Sequence, residues 1–467
     1  MKNAEEKHLF EGIKVGKYGE PISHLQYADD VVFFGQWKST NFRNLLKILE
    51  CFQRMSGLKM NAGKSKLFGL GVAEETVRSW ATSAGCGQGK FPFTYLGLPV
   101  GASMKRLDHW NPAMDKFKRR LEAWGSRFVS FGGRHTLVKS VLGSLPLYFF
   151  SLFRAPRGVI KECKRLRCRF FWGGGGGEST KKGGVRVKWQ NALKKFESGG
   201  LNIGSLDVTN LSLLAKWWWR FLVEKDSLWV KVITNLYGEG GGIFDKNPNF
   251  DGAGTCWSNI IKLGAILDGK GIGFSNSLGK QIGDGKDTEL WYERWLGSER
   301  LQDVFPRLFR LEDNKRVSIA ERGERVGGEW KWTWGWRRTP RGREVGELDE
   351  LLNGLQDISP IEGKVDKPIW RLDDTKVFSV KKLRDILESQ EGHTGVCTKW
   401  LKIVPKKICI FMWRVRLGRI PCRDNLDRMG IDLNSTLCPR CGDEVETIDH
   451  ALVTCPEVKR LWSIVGN

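Results

Sequence analysis

Apolar and polar positions alternate over short runs at the start of the chain and recur at helical spacing further on. The stretch "ISHLQYADDVVFFG" (22–35) reads as strand, turn, strand, with the adjacent carboxylates Asp29 and Asp30 at or near the tip of a hairpin. Leu45, Leu46, Leu49 and Phe52 then step at helical spacing and predict a helix over roughly 40–55. "SGLKMNAGKSKLFGLG" reads as a polar loop entering a short strand, and "FTYLGLPVG" as another short strand punctuated by Gly and Pro.

The period changes after residue 105. Met114, Phe117, Leu121 and Trp124 line one face of a helix. Leu137, Val138, Val141 and Leu145 line a second, which Pro146 ends. Ile160, Cys163, Leu166 and Phe170 form the apolar line of a third. Arg157, Lys161, Lys164, Arg165 and Arg167 surround that line, which predicts one dry face and one strongly positive face. "WGGGGGESTKKGG" (172–184) reads as a flexible basic loop. A fourth helix is expected from about Asp207 to Val223, and another over 379–390. Trp330, Trp332, Trp334 and Trp336 recur at period two, as on an aromatic-faced strand. Packing against a sheet is the plainer role for such a ladder; base stacking is the alternative.

Composition narrows the function classes. The 467 residues suffice for several domains, and 40% hydrophobic with 28% charged residues marks a globular chain. Lys and Arg number 76 against 53 Asp and Glu, a net charge of +23, which points to a polyanionic partner. No apolar run approaches the ~20 residues of a membrane-spanning helix. The N-terminal stretch has no apolar core of signal-peptide length. Eleven Cys without disulfide-framework spacing suggest a reducing compartment inside the cell.

Two motifs carry chemistry. In "CPRCGDEVETIDHALVTC", Cys438 and Cys441 form a C-x2-C knuckle, and His450 and Cys455 follow on the next element. Four such ligands complete a tetrahedron with no open position, so the expected cofactor is a structural Zn2+. Cys422 is the next candidate ligand if one of the four is wrong. Asp29 and Asp30 can be turn formers, or they can hold the divalent ions of two-metal nucleotidyl transfer, Mg2+ or Mn2+. From Met114 to Phe171, fourteen Lys and Arg face Asp115, Glu122 and Glu162, a net +11. This excess favours contact with a phosphate backbone through Arg119, Arg120, Arg134, Lys139, Arg157, Lys161, Lys164 and Arg165. His135, at a helix start, reads as a capping or packing residue.

The "YADD" hairpin resembles the catalytic hairpin of reverse transcriptases. The segments that follow, through "GGRHTLVKSVLGSLPLYFFSLF", "GGLNIGSL" and "LLAKWWWRF", are similar in kind and order to plant non-LTR (LINE-type) retrotransposon reverse transcriptases. "PKKICIFMWRVRLGRIPCRDNL" with the Cys/His cluster resembles their zinc-binding domain. The resemblance implies an α+β chain. It would comprise a partial right-hand polymerase palm (1–105), a basic helical thumb (106–225), a Trp/Gly-rich connecting region (226–375) and a small zinc-binding module (376–467). It implies that Asp29 and Asp30 are the metal-binding acidic pair, with Asp29 the stronger ligand. Tyr27 would lie near the primer end. Lys64 would lie near the triphosphate, or is simply a solvated loop cation. The family's palm supplies a further Asp upstream of the hairpin, and no Asp precedes Asp29 here. The expectation is therefore the C-terminal portion of an RNA-directed DNA polymerase that binds RNA, DNA or an RNA–DNA hybrid and is inactive alone. The alternative is a non-catalytic, zinc-containing nucleic-acid-binding or protein-interaction protein. An active element of this type would work in the nucleus.

Overall fold

The computed structural model describes residues 1–16, 19–125, 128–173, 187–243, 255–390, 397–401 and 403–465. Most of the glycine-rich loop expected over 172–184 lies outside them. The chain divides into two compact units, each made from two separate stretches. One is Met1–Ser103 with Ala215–Phe378, and the other is Met104–Leu214 with Ser379–Asn467.

In the first unit, the opening stretch forms strand pairs. Ile13–Lys14 pairs with Pro21–Ile22, His24–Tyr27 with Asp30–Phe33, and Phe93–Tyr95 with Leu98–Val100, all antiparallel. Lys66–Leu67 runs parallel to Gly87–Gln88. Among the described residues no sheet has more than two strands. The helix Ser39–Ser56 is present as expected and stops at Gly57, whose φ of 73° closes the last turn. Phe52, placed by spacing on the apolar face, is nevertheless 53% exposed. Asn41 anchors the helix start: its Oδ1 accepts from the Glu11 N–H, and its Nδ2 donates to the Glu11 and Gln36 carbonyls.

"FTYLGLPVG" corrects the expectation of one strand. It is a hairpin with Tyr95 opposite Leu98 and a two-residue turn at Leu96 and Gly97. Both turn residues have positive φ, 48° and 78°, as a tight hairpin of this twist requires. Leucine seldom takes that conformation, so the sequence hides the turn.

The later stretch of this unit has a dense aromatic core. Leu290, Trp291, Trp295, Leu308, Ile319 and Leu351 are buried, and Trp332, Trp334 and Trp336 pack against them. The strand expected through all four Trp of the ladder ends at Trp332 (Glu329–Trp332). The Trp334 and Trp336 rings still stack, 5.1 Å apart and 7° from parallel, so the ladder is a packing face. Asp366 organises the loop after Leu278–Gln281. It accepts the N–H groups of Gly283 and Gly285 and the Thr288 hydroxyl.

The second unit is helical. Asn111–Trp124, Phe131–Thr136 and Arg157–Trp172 pack around Trp110, Phe117, Val138, Leu142, Phe150 and Phe171. The second helix does not continue as α to Pro146; it passes into a π turn at Leu137–Val141. The helix Leu206–Val223, which belongs to this unit up to Leu214, contributes buried Asn210, whose Nδ2 donates to the Phe150 and Phe153 carbonyls. The helices Val380–Ser389 and Lys406–Arg416 complete the unit.

The segment "GGLNIG" (199–204) is the knot of this unit. Its carbonyls accept from three buried side chains on three different helices. Trp413 Nε1 donates to Gly199 at 2.9 Å, and His135 Nε2 donates to Leu201 at 2.8 Å. Arg167 donates to Gly204 and Ile203 at 3.2 and 3.3 Å. Arg167 thus departs from the positive outer face expected of it: only 2% of it is exposed. Non-regular backbone inside a protein needs such donors, because water is absent.

Candidate metal centre

The C-terminal cluster is assembled by local backbone geometry. The short bridge Leu437↔Val445 turns the chain back on itself, and the Cys438 N–H donates to the Glu444 carbonyl at 2.7 Å. Gly442, at φ 78°, donates its N–H to the Cys438 carbonyl and closes the knuckle. On the next element the Thr447 hydroxyl accepts the His450 N–H. A π turn then spans His450–Thr454, closed by the Cys455 N–H on the His450 carbonyl at 3.0 Å. Residues five apart diverge on an α-helix but return to one side on this wider turn. That is how His450 and Cys455 come to face the knuckle together.

The ligand atoms of Cys438, Cys441, His450 and Cys455 all lie within 4.8 Å of one another. Cys441 Sγ is 3.3 Å from His450 Nε2. Cys438, His450 and Cys455 are buried. Burial pushes the Cys438 thiol up, but the N–H groups of Cys441 and Arg440 outweigh it and hold the thiol below its ordinary range. The N–H groups of Asp443 and Glu444 lower Cys441 in the same way. Burial keeps Cys455 raised, while N–H groups of Val458 and Glu457 at the start of Pro456–Val465 oppose it. Backbone dipoles gathered around sulfur favour thiolate, the form that binds metal. His450 Nδ1 lies 2.7 Å from Glu444 Oε2, which fixes the ring so that Nε2 faces the cysteines. Burial disfavours the imidazolium, but Cys441 and Glu444 outweigh it and raise the His450 pKa. Three sulfurs and one nitrogen at this separation fit tetrahedral zinc.

The structure brings together the four candidate ligands named from spacing, and adds Glu444, which sequence reasoning missed. Its signal was available: a carboxylate inside the "CGDE" turn, ahead of the histidine. Cys422, the reserve ligand, is buried at the N-cap of Arg423–Asp427 and belongs to no metal-competent group among the described residues.

The other predicted site residues are placed differently. Asp29 lies in the hairpin turn beside Ala28, which has φ 52°, and Asp30 pairs with Tyr27 as the first residue of its strand. Both carboxylates are exposed, and Tyr27 is 66% exposed. Among the described residues, neither Asp belongs to a group of three potential metal ligands. Lys64 is exposed in a loop where its N–H donates to the Asn61 carbonyl.

The basic residues all belong to the second unit. Arg119, Arg120, Lys139, Arg157, Lys161 and Arg165 are exposed, while Arg134 and Lys164 are half-buried. Arg165 is engaged by both oxygens of Glu162 at 2.7 Å. Lys139 Nζ lies 5.8 Å from the Phe196 ring centre, and the Arg134 guanidinium 5.2 Å from that of Phe131. Burial lowers the pKa of both cations.

Residues 378–462 match the family described as zinc-binding in reverse transcriptase. The C-terminal segment is a reverse-transcriptase zinc-binding domain. The chain is also 25% identical over 382 residues to the Arabidopsis thaliana protein named "Putative ribonuclease H protein". That match covers 78% of this chain and 57% of the relative, so the chain spans little more than half of that relative's length. A second Arabidopsis thaliana relative, "Uncharacterized mitochondrial protein", is 27% identical over 161 residues, which is 33% of this chain and 95% of the relative. The zinc-binding domain marks the chain as retroelement-related. It holds the Cys438–Cys455 cluster, and it begins where the contact boundary falls, at Phe378 and Ser379. It packs into the same unit as residues 104–214: Trp413 binds the Gly199 carbonyl, and Lys406 Nζ the Thr136 hydroxyl. No helix among the described residues is long and apolar enough to cross a membrane.

Proposed function

We propose that the chain is a fragment of a non-LTR retrotransposon RNA-directed DNA polymerase, acting as an RNA or RNA–DNA hybrid binder through its second unit. The observation that carries the reading is the zinc-binding domain of reverse-transcriptase type, folded into one unit with helices that bear eight exposed or half-buried predicted phosphate contacts. Arg119, Arg120, Arg134, Lys139, Arg157, Lys161, Lys164 and Arg165 supply positive charge for the backbone phosphates, independent of base sequence. Zinc, held by Cys438, Cys441, His450 and Cys455, is structural: it orders the domain that buttresses these helices. In this reading residues 1–105 correspond to part of the palm and 106–225 to the thumb.

In this reading Asp29 and Asp30 descend from a polymerase acidic pair but do not support synthesis in this chain. Two-metal nucleotidyl transfer needs carboxylates that converge on ions ~3.5–4 Å apart. The pair sits on an exposed two-stranded hairpin, and no third ligand accompanies it among the described residues. That same observation favours the second reading, a nucleic-acid binder that never polymerises. Primer extension with an RNA template, a DNA primer and Mg2+ or Mn2+ tests what both readings share, that this chain does not polymerise. Salt-dependent hybrid binding without extension is expected. Extension abolished by Asp29→Ala/Asp30→Ala would restore catalysis to the chain. Weak binding of generic RNA even at low salt would remove the nucleic-acid reading altogether.

A further inference from the structure

Arg167 presents an unsolved electrostatic problem. Arg167 is 2% exposed, and among the described residues its guanidinium donates only to the carbonyls of Gly204 and Ile203. Its Nε has no hydrogen-bond partner among the described residues. Burial brings its pKa down to about 10, so it is still a cation at neutral pH. A buried cation is stable when an anion compensates it, and no carboxylate pairs with Arg167 among the described residues.

The same side chain lines a cavity of about 390 Å3 in the second unit. Small-molecule sites span roughly 300–1,000 Å3. Lys164 and Lys194 also line it, and neither has a carboxylate partner among the described residues. So does Trp189, buried, with its Nε1 likewise unpartnered. Among the described residues Asp207 is the one lining carboxylate, and it is engaged by Arg154 at 3.1 Å. The helix Leu206–Val223 begins at the cavity wall, where first-turn N–H groups favour an anion. Ile160, Leu193 and Leu206 supply apolar wall.

We propose that this cavity binds a phosphate monoester of nucleotide size. The phosphate would meet the Lys164 and Lys194 ammonium groups, with the buried Arg167 cation adding its field from behind the wall, and the rest of the ligand would lie along Trp189 and the apolar wall. The site is separate from the acidic hairpin and from the zinc cluster, and the proposal does not depend on polymerase ancestry. Two sources share the chemistry: a free mononucleotide, and the 5′-phosphate end of a nucleic acid.

The test is calorimetric titration of the full chain with 5′-AMP, adenosine, and short RNAs carrying either a 5′-phosphate or a 5′-hydroxyl. 5′-AMP is expected to bind and adenosine not. Lys164→Gln/Lys194→Gln should weaken 5′-AMP about tenfold or more, while Lys7→Gln/Lys14→Gln leaves it unchanged. Asp207→Asn should tighten it, a gain that misfolding cannot imitate. A preference for 5′-phosphate RNA that exceeds the affinity for 5′-AMP identifies a nucleic-acid end as the source, and equal affinities identify the mononucleotide. The proposal is overturned if 5′-AMP and 5′-phosphate RNA bind no better than their unphosphorylated counterparts. Indifference of 5′-AMP binding to both the lysine and the Asp207 substitutions would overturn it equally.

Discussion

The Cys/His cluster and the acidic hairpin are both short motifs whose residue types point to metal, and the fold treats them in opposite ways. Around the cluster, a knuckle, a capping threonine and a π turn bring four ligand atoms within 4.8 Å of one another. Glu444 holds the histidine ring, and backbone N–H groups face the sulfurs. Around the hairpin, among the described residues, the strands His24–Tyr27 and Asp30–Phe33 pair only with each other, and Leu25, Tyr27 and Val31 are exposed. The difference teaches that ligand identity is a weak predictor of a site until supporting groups converge on it.

The largest expected effect would sharpen this contrast at the cluster. Zinc at such a site contributes on the order of 10 kcal/mol of folding free energy. Purified protein should carry one zinc per chain. Cys438→Ser should lose it and unfold the C-terminal segment, read by metal analysis and limited proteolysis. Full zinc occupancy in that variant would break the assignment. Next comes the supporting carboxylate: Glu444→Ala should weaken zinc about 10–100-fold in chelator competition while leaving the metal stoichiometry intact at high zinc.

A smaller effect concerns His135, which ties the cluster's unit together. Burial lowers its pKa, with Lys139 and Lys406 adding to the effect and the Leu201 carbonyl opposing it. Its folded-state pKa is therefore below the unfolded value of about 6.5. The unfolded chain binds the proton more readily, so the contribution is fully present above that value and is lost as pH falls below it. Thermal midpoints of the zinc-loaded protein should fall between neutral pH and about pH 5, less steeply in His135→Gln. An unchanged slope would mean another group titrates.

The smallest effect belongs to the hairpin. Asp29→Asn/Asp30→Asn should change stability by no more than about 0.5 kcal/mol and leave hybrid binding intact, as substitutions at exposed positions without convergent partners do. A large loss of either would show that the exposed pair supports more than its surroundings reveal.

Much of this was legible from local pattern. The helices over 39–56, 111–124, 157–172, 206–223 and 380–389 were legible in the sequence, and the four members of the candidate zinc cluster in Cys and His spacing. Other features resisted. Leu96 sits in a left-handed turn that its side chain disfavours, so the hairpin at 93–100 read as one strand. Arg167 follows the basic pattern of its helix, yet it points inward because non-regular carbonyls at 203 and 204 need donors. Trp334 and Trp336 continue a strand-like period after the strand has ended, since ring stacking rather than backbone pairing holds them.

By itself the sequence determined which faces are apolar, where positive charge concentrates and which four side chains form the candidate zinc cluster. These depend on residues near one another along the chain, where spacing fixes geometry. Only the tertiary structure decided that the zinc-binding domain shares a unit with residues 104–214, that "GGLNIG" is pinned by His135, Arg167 and Trp413, and that a cationic cavity opens beside Arg167. Those facts rest on contacts between residues tens to hundreds of positions apart. Burial and the demand that every buried polar group find a partner select such contacts, and no local pattern encodes them.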